Sequence, residues 1–379
     1  MAKGCKTLRR LPLKTGAVIT GFIMGLCMIM SLCSILVVGG LVTASRTGSS
    51  GMTYQDKDRF AVLAYYASDS PYDRAAYASL STDAGSGAID AVAAFLHPIN
   101  GRGLIGGKPD ASLMRLARKN GLKVLAVVHN FIGGGFSRQV ASDILADPNT
   151  RGAASGSIVW ILKEYGYDGV NVDLENIDPA LRDEYVAFLA ELAQKMRGSG
   201  KLLTVCMPGK TYDAPKDQWT GAFDYARIGR IADKVVIMAY DEHWVGGDPG
   251  PIASFTWVQS VLKYATRAIS PDRILLGLAA YGYDWPTSNG KAVGMGRMLG
   301  APYLAEVARS SGATIIWDDW AQVPYFKYWR GTQEHTVYFE NKYSAAFKIA
   351  LARKFGLGGV AVWRLGLEDP GLWRLLSKY

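Results

Sequence analysis

The feature that most constrains this chain is a repeating order of short apolar runs and helical patterns beyond residue 59. Eight runs read as strands: FAVLAYY (60–66), AIDAVAAFL (88–96), KVLAVVH (123–129), YDGVNVDLE (167–175), LLTVCMP (202–208), KVVIMAYD (234–241), RILLGLAAYG (273–282) and GGVAVWRL (358–365). Helix-patterned segments separate them, clearest at 109–120, 150–165, 179–197, 254–268 and 341–355. From Pro179 onward, Leu181, Tyr185, Phe188, Leu189, Leu192 and Met196 make one apolar stripe, with Asp178 as cap and Pro179 in the first turn. Eight such units in residues 60–379 predict an α/β fold, a (β/α)8 TIM barrel. An open doubly wound sheet is the rival, but the Gly-rich dinucleotide loop expected after its first strand is missing. The longest interruption, 286–340, predicts a small α+β insertion between strands seven and eight, with a helix at 300–311 and short strands in TIIWDD, VPYFKYW and HTVYFE.

The first sixty residues are of another kind. Lys3, Lys6, Arg9, Arg10 and Lys14 supply five of the nine net positive charges, and residues 15–44 carry no charge at all. A basic tail (1–14), a transmembrane segment (15–44) and a polar linker (45–59) are therefore expected, with the remainder outside the cell membrane. The rival is a signal sequence cleaved near Ala44; the apolar run is longer than a usual signal core, which favours the anchor. The remaining charge excess is spread thinly, so no nucleic-acid partner is expected. The four histidines show no ligand spacing, and neither metal nor cofactor is expected. Cys206, in an apolar strand, reads as a buried small hydrophobe.

The chemistry concentrates in YDGVNVDLENI (167–177). Val170, Val172 and Leu174 alternate with Asn171, Asp173 and Glu175, so the three polar side chains share one strand face. Acids at the C-terminal end of a barrel strand stand where barrel enzymes keep their active sites. Side-by-side burial of two carboxylates is costly unless it serves a purpose. Such an acid acquires the raised pKa that a general acid needs.

This run resembles the DxxDxDxE signature of glycoside hydrolase family 18, with Asp168, Asn171, Asp173 and Glu175 at its four positions. The neighbourhood is similar to a bacterial branch, the spore cortex-lytic N-acetylglucosaminidases and related cell-wall glycosidases. Three further segments resemble family elements in the expected order: IMAYDEHWVGGDPGP (237–251), ILLGLAAYGYDW (274–285) and GLGGVAVWRLGLEDPGLW (356–373). The resemblance implies retaining hydrolysis of an N-acetylglucosamine-containing polysaccharide, in which the sugar's own 2-acetamido group attacks the anomeric carbon. It implies Glu175 as the acid, Asp173 as the group orienting the acetamide, Tyr240 as a hydrogen-bond donor to its carbonyl and Asp241 on the same sugar. Met238 is expected in the cleft floor and Trp363 beneath the sugar, with Tyr281, Tyr283, Asp284, Trp285 and Trp244 along the walls. Asp168 and Gly169 read as structural parts of the motif. The family usually has an acid at position 171; Asn171 is expected to donate a hydrogen bond to Asp173 and lower its pKa. HNFIGGG (129–135) reads as a loop after strand three, with Asn130 a candidate to reach a sugar hydroxyl. Peptidoglycan is the expected polymer. A chitinase and a non-catalytic lectin on the same barrel are the alternatives, and retention of Glu175 disfavours the lectin.

Overall fold

The computed structural model describes residues 60–68, 72–82 and 87–379. The expected tail (1–14), membrane segment (15–44) and linker (45–59) lie outside the described residues. Among the described residues, no helix is long and apolar enough to cross a membrane.

Eight parallel strands close a barrel: β1 (Ala61–Tyr66), β2 (Ala91–Pro98), β3 (Lys123–His129), β4 (Gly169–Asp173), β5 (Leu202–Pro208), β6 (Lys234–Met238), β7 (Ile274–Ala279) and β8 (Gly359–Trp363). Each pairs with the next in sequence, and β8 returns to β1 with Ala61 opposite Gly359. That closure needs a glycine. A Cβ on residue 359 would lie 1.9 Å from the Ala61 carbonyl oxygen, and φ there is 157°.

The period-two alternation divides each strand between two cores. Val62, Ala64 and Tyr66 face the helix layer with Val170, Val172 and Leu174. Leu63, Tyr65, Ala93, Leu125, Cys206, Val236 and Ala361 fill the barrel interior. The predicted stripe on the helix Arg182–Met196 is the buried one: Tyr185, Phe188, Leu189, Leu192 and Met196. Asp178 caps a 3-10 turn, Pro179–Leu181, that leads into that helix.

One device recurs at the barrel foot. Asp90 accepts a hydrogen bond from Val62 N, Asp168 from Val124 N and Asp233 from Leu203 N, each at 2.8 Å. In each case an acid just ahead of one strand pins the start of its neighbour. Asp168 is thus bonded to the start of β3.

The insertion differs from expectation in where it begins. Barrel strand β7 stops at Ala279, and the strand Tyr281–Ser288 already belongs to the insertion, not to the barrel wall. It pairs antiparallel with Gln333–Phe339 and with Arg297–Gly300. The predicted strand 273–282 merged two elements because no turn residue separates them. The chain changes sheets at Ala280, whose N–H donates to Trp363 O at 2.8 Å. The helix Ala301–Ser311 packs Leu304 and Ala308 against Phe326, Val337 and Phe339.

Candidate active site

The strand ends open into a cleft of about 960 Å³ whose lining includes Asp173, Glu175, Cys206, Met238, Tyr240, Asp241 and Trp363. Asp173 is the last residue of β4, and Glu175 stands two residues beyond. Leu174 and Ile177, both buried, anchor this turn from the apolar side. Asn130, at the end of β3, holds it from the other. Its Oδ1 accepts from Glu175 N at 3.0 Å, and its Nδ2 donates to Glu175 O at 2.8 Å. Asn130 is itself buried, so it positions the acid and does not face the cleft. Its place directly after a strand was the signal in the sequence.

Asp173 is buried, and its Oδ1 has no hydrogen-bond partner. Burial pushes its carboxyl above the ordinary range, partly offset by the Cys206 thiol. Glu175 is raised well above its usual value, first by burial and then by repulsion from Asp173 and Asp241. The pair therefore offers an acid strongly biased to keep its proton and, on Asp173, an oxygen free to accept a hydrogen bond.

Asn171 corrects two expectations. It lies beneath Asp173, wholly buried and outside the cleft lining. Its Nδ2 donates to Thr204 Oγ1 at 2.8 Å, and its Oδ1 accepts from Tyr65 OH at 3.1 Å and Cys206 Sγ at 3.2 Å. The amide is committed to β1 and β5, and no bond joins it to Asp173. The Asp173 carboxyl is raised, not lowered.

The floor is aromatic. Trp363 packs at 5.3 Å from Tyr65 and 5.4 Å from Phe95, ring centre to ring centre. Phe95 in turn stacks at 3.8 Å on His129, whose imidazole burial pushes down to about 4, so the ring is neutral at physiological pH. Tyr240 stands edge-on to Tyr281 at 6.3 Å. Tyr281 and Tyr283 line the cleft, and both hydroxyls donate to Asp241, that of Tyr283 at 2.8 Å. These two tyrosines orient Asp241. Asp241 has φ of 61°, the left-handed region, and that turns the chain at the cleft edge.

Two expected wall residues lie elsewhere. Trp285 shares the strand face of Tyr281 and Tyr283 but is 0% exposed and packs on Tyr283 beyond the end of the cleft. Asp284 points to the opposite face, where its carboxylate receives His335 Nδ1 at 2.7 Å and Tyr328 OH at 2.8 Å, with Arg297 and Arg330 at 3.3 Å. Trp244, 55% exposed, does line the rim. Unforeseen lining residues are Trp219, Phe131, Phe136, Trp257 and Met298. Trp219, Phe131 and Phe136 sit on connections and Met298 in the insertion, where no hydrophobic period marks a direction, and Trp257 stands in the first turn of the helix Phe255–Ala268. Among the described residues, no group of three or more side chains is placed to hold a metal ion.

A closed parallel barrel with a proton-holding acid and a partner carboxylate over an aromatic floor defines a barrel glycosidase. The chain belongs to glycosyl hydrolases family 18, whose profile matches residues 61–368. Its relatives include the cortical fragment-lytic enzyme of Bacillus anthracis, 31% identical over 71% of this chain; the match spans 62% of that enzyme's own length. The spore cortex-lytic enzyme SleL of Bacillus megaterium superposes with a TM-score of 0.76 at 27% identity, covering 84% of this chain and 73% of SleL. A chitinase from Chromobacterium violaceum superposes equally well, TM-score 0.76 at 28% identity, covering 84% of this chain and 98% of that one.

Proposed function

We propose that this glycoside hydrolase is a retaining β-N-acetylglucosaminidase that cuts peptidoglycan by substrate assistance. The observation that carries the reading is the orphan Oδ1 of Asp173 on the cleft floor beside Glu175. A buried polar atom left unbonded costs about 1–3 kcal/mol, which a bound donor recovers. The N–H of a sugar 2-acetamido group is such a donor. With that N–H on Asp173 and its carbonyl held by Tyr240 OH, the acetamido oxygen faces the anomeric carbon above Trp363. Glu175 gives its proton to the bridging oxygen as the C–O bond breaks and the acetamido oxygen bonds to carbon. The resulting carboxylate of Glu175 then takes a proton from water, which opens the oxazolinium ring with retention.

The choice of polymer is supported by the cortex-lytic relatives. The chitinase likeness supports the second reading, hydrolysis of chitin oligomers. Mass spectrometry of products from purified muropeptides and chitin oligomers decides between them: the expected products carry N-acetylglucosamine at the new reducing end, released from muropeptides. Glu175→Gln is expected to lower turnover of an N-acetylglucosaminyl reporter at least about 100-fold with the fold intact, and wild-type turnover refutes the role. We also place the enzyme on the outer face of a cell membrane, held by residues 15–44, on the strength of that charge-free run and its basic flank. Protease added to protoplasts is then expected to digest the barrel, and full protection contradicts this placement.

A further inference from the structure

A second groove, of about 350 Å³, opens beside the cleft between the loop after β2 and the hairpin after β3. Phe131 lines both spaces and stands at the boundary between them. Leu104 and Ile132 on its walls are 49% and 47% exposed, apolar side chains held in water. The loop that carries Leu104 is tied down. Asn100 Oδ1 accepts from Arg102 N at 3.0 Å and Leu104 N at 3.1 Å, and Gly106 N donates to Pro98 O at 2.7 Å. The groove is therefore formed before anything binds.

Its position relative to the acid is fixed by hydrogen bonds. Asn130, which starts the hairpin, grips the Glu175 backbone, and Asn176 Nδ2 donates to Phe136 O at 3.1 Å. The hairpin that walls the groove is thus tied to the turn that carries the acid. Resting on the peptidoglycan reading, the sugar whose oxygen Glu175 protonates is the leaving one. When the cut falls after N-acetylglucosamine, that sugar is the muramyl residue, and its lactyl ether carries a short peptide. The peptide's alanyl methyls match an apolar wall. Its carboxylates match Arg102 and Lys108, both exposed on the same loop.

We propose that this groove binds the stem peptide of the leaving muramyl sugar, making the enzyme selective for peptide-bearing strands. The test uses the full chain and two substrates, a muropeptide oligomer with intact stems and the same glycan stripped of peptide by an amidase. Wild type is expected to show about tenfold higher kcat/KM on the stem-bearing strand. The double variant Leu104→Ser, Ile132→Ser is expected to lose that advantage while keeping its rate on stripped glycan, which also reports correct folding. Equal wild-type rates on the two substrates overturn the proposal, as does a variant whose losses are the same on both. Cleavage of chitin oligomers with neither glycan cut overturns the peptidoglycan reading itself, a separate and distinguishable result.

Discussion

Asp173 and Glu175 face the cleft with opposite needs. Burial lifts both carboxyls, and the charge of Asp173 lifts Glu175 further. Removing the charge at Asp173 takes away the second cause of the Glu175 shift while leaving the first. Asp173→Asn is therefore expected to move the alkaline limb of the residual pH–activity profile toward lower pH. An unmoved limb means that Asp173 does not face the acid. The stability sign follows from the same shifts. A carboxyl whose folded pKa is raised costs stability as pH climbs from its unfolded value through its folded one. Both isosteric amides, Asp173→Asn and Glu175→Gln, should thus melt above wild type at neutral pH in a thermal scan. At this scale the strand alternation marked both acids and put Asn171 on the correct face. It was silent on depth. Asn171 lies a layer below the cleft because Thr204, Tyr65 and Cys206 reach it from strands far off in sequence.

The insertion shows how one element lends precision to another. Its first strand supplies Tyr281 and Tyr283 to Asp241 on one face and Asp284 to its own ionic centre on the other. Asp284 is buried, whereas Arg297 and Arg330 are about half exposed, so water screens much of the ionic contribution. The bonds from His335 and Tyr328 are sheltered. Asp284→Asn is expected to cost about 1–3 kcal/mol, read as a lower urea midpoint, with activity lost at that same midpoint. Unchanged stability shows that the centre is dispensable; activity persisting past unfolding of the insertion shows that Asp241 needs no support. Three strands of this element were legible from alternation and composition, while the short strands Lys291–Ala292 and Arg297–Gly300 were not. Its starting point was not, because a change of sheet at Ala280 leaves no mark when the chain stays extended.

For the molecule as a whole, the barrel was readable because a parallel sheet covered on both faces demands near-continuous apolar strands, and eight of them repeat with helical patterns between. Met238 and Trp363, expected on the cleft floor through the family resemblance alone, both line the cleft. The rim was not readable. Phe131, Trp219 and Met298 belong to connections whose course depends on what they pack against. Sequence thus placed the residues on strands better than those on loops.

The ring is completed by the pairing of residues 61 and 359, and Trp363 arrives on its final stave. A chain still under synthesis holds the acid long before it holds the aromatic floor of the cleft. Such long-range closure comes late. A copy that stops short of residue 359 accordingly has neither the closed ring nor that indole.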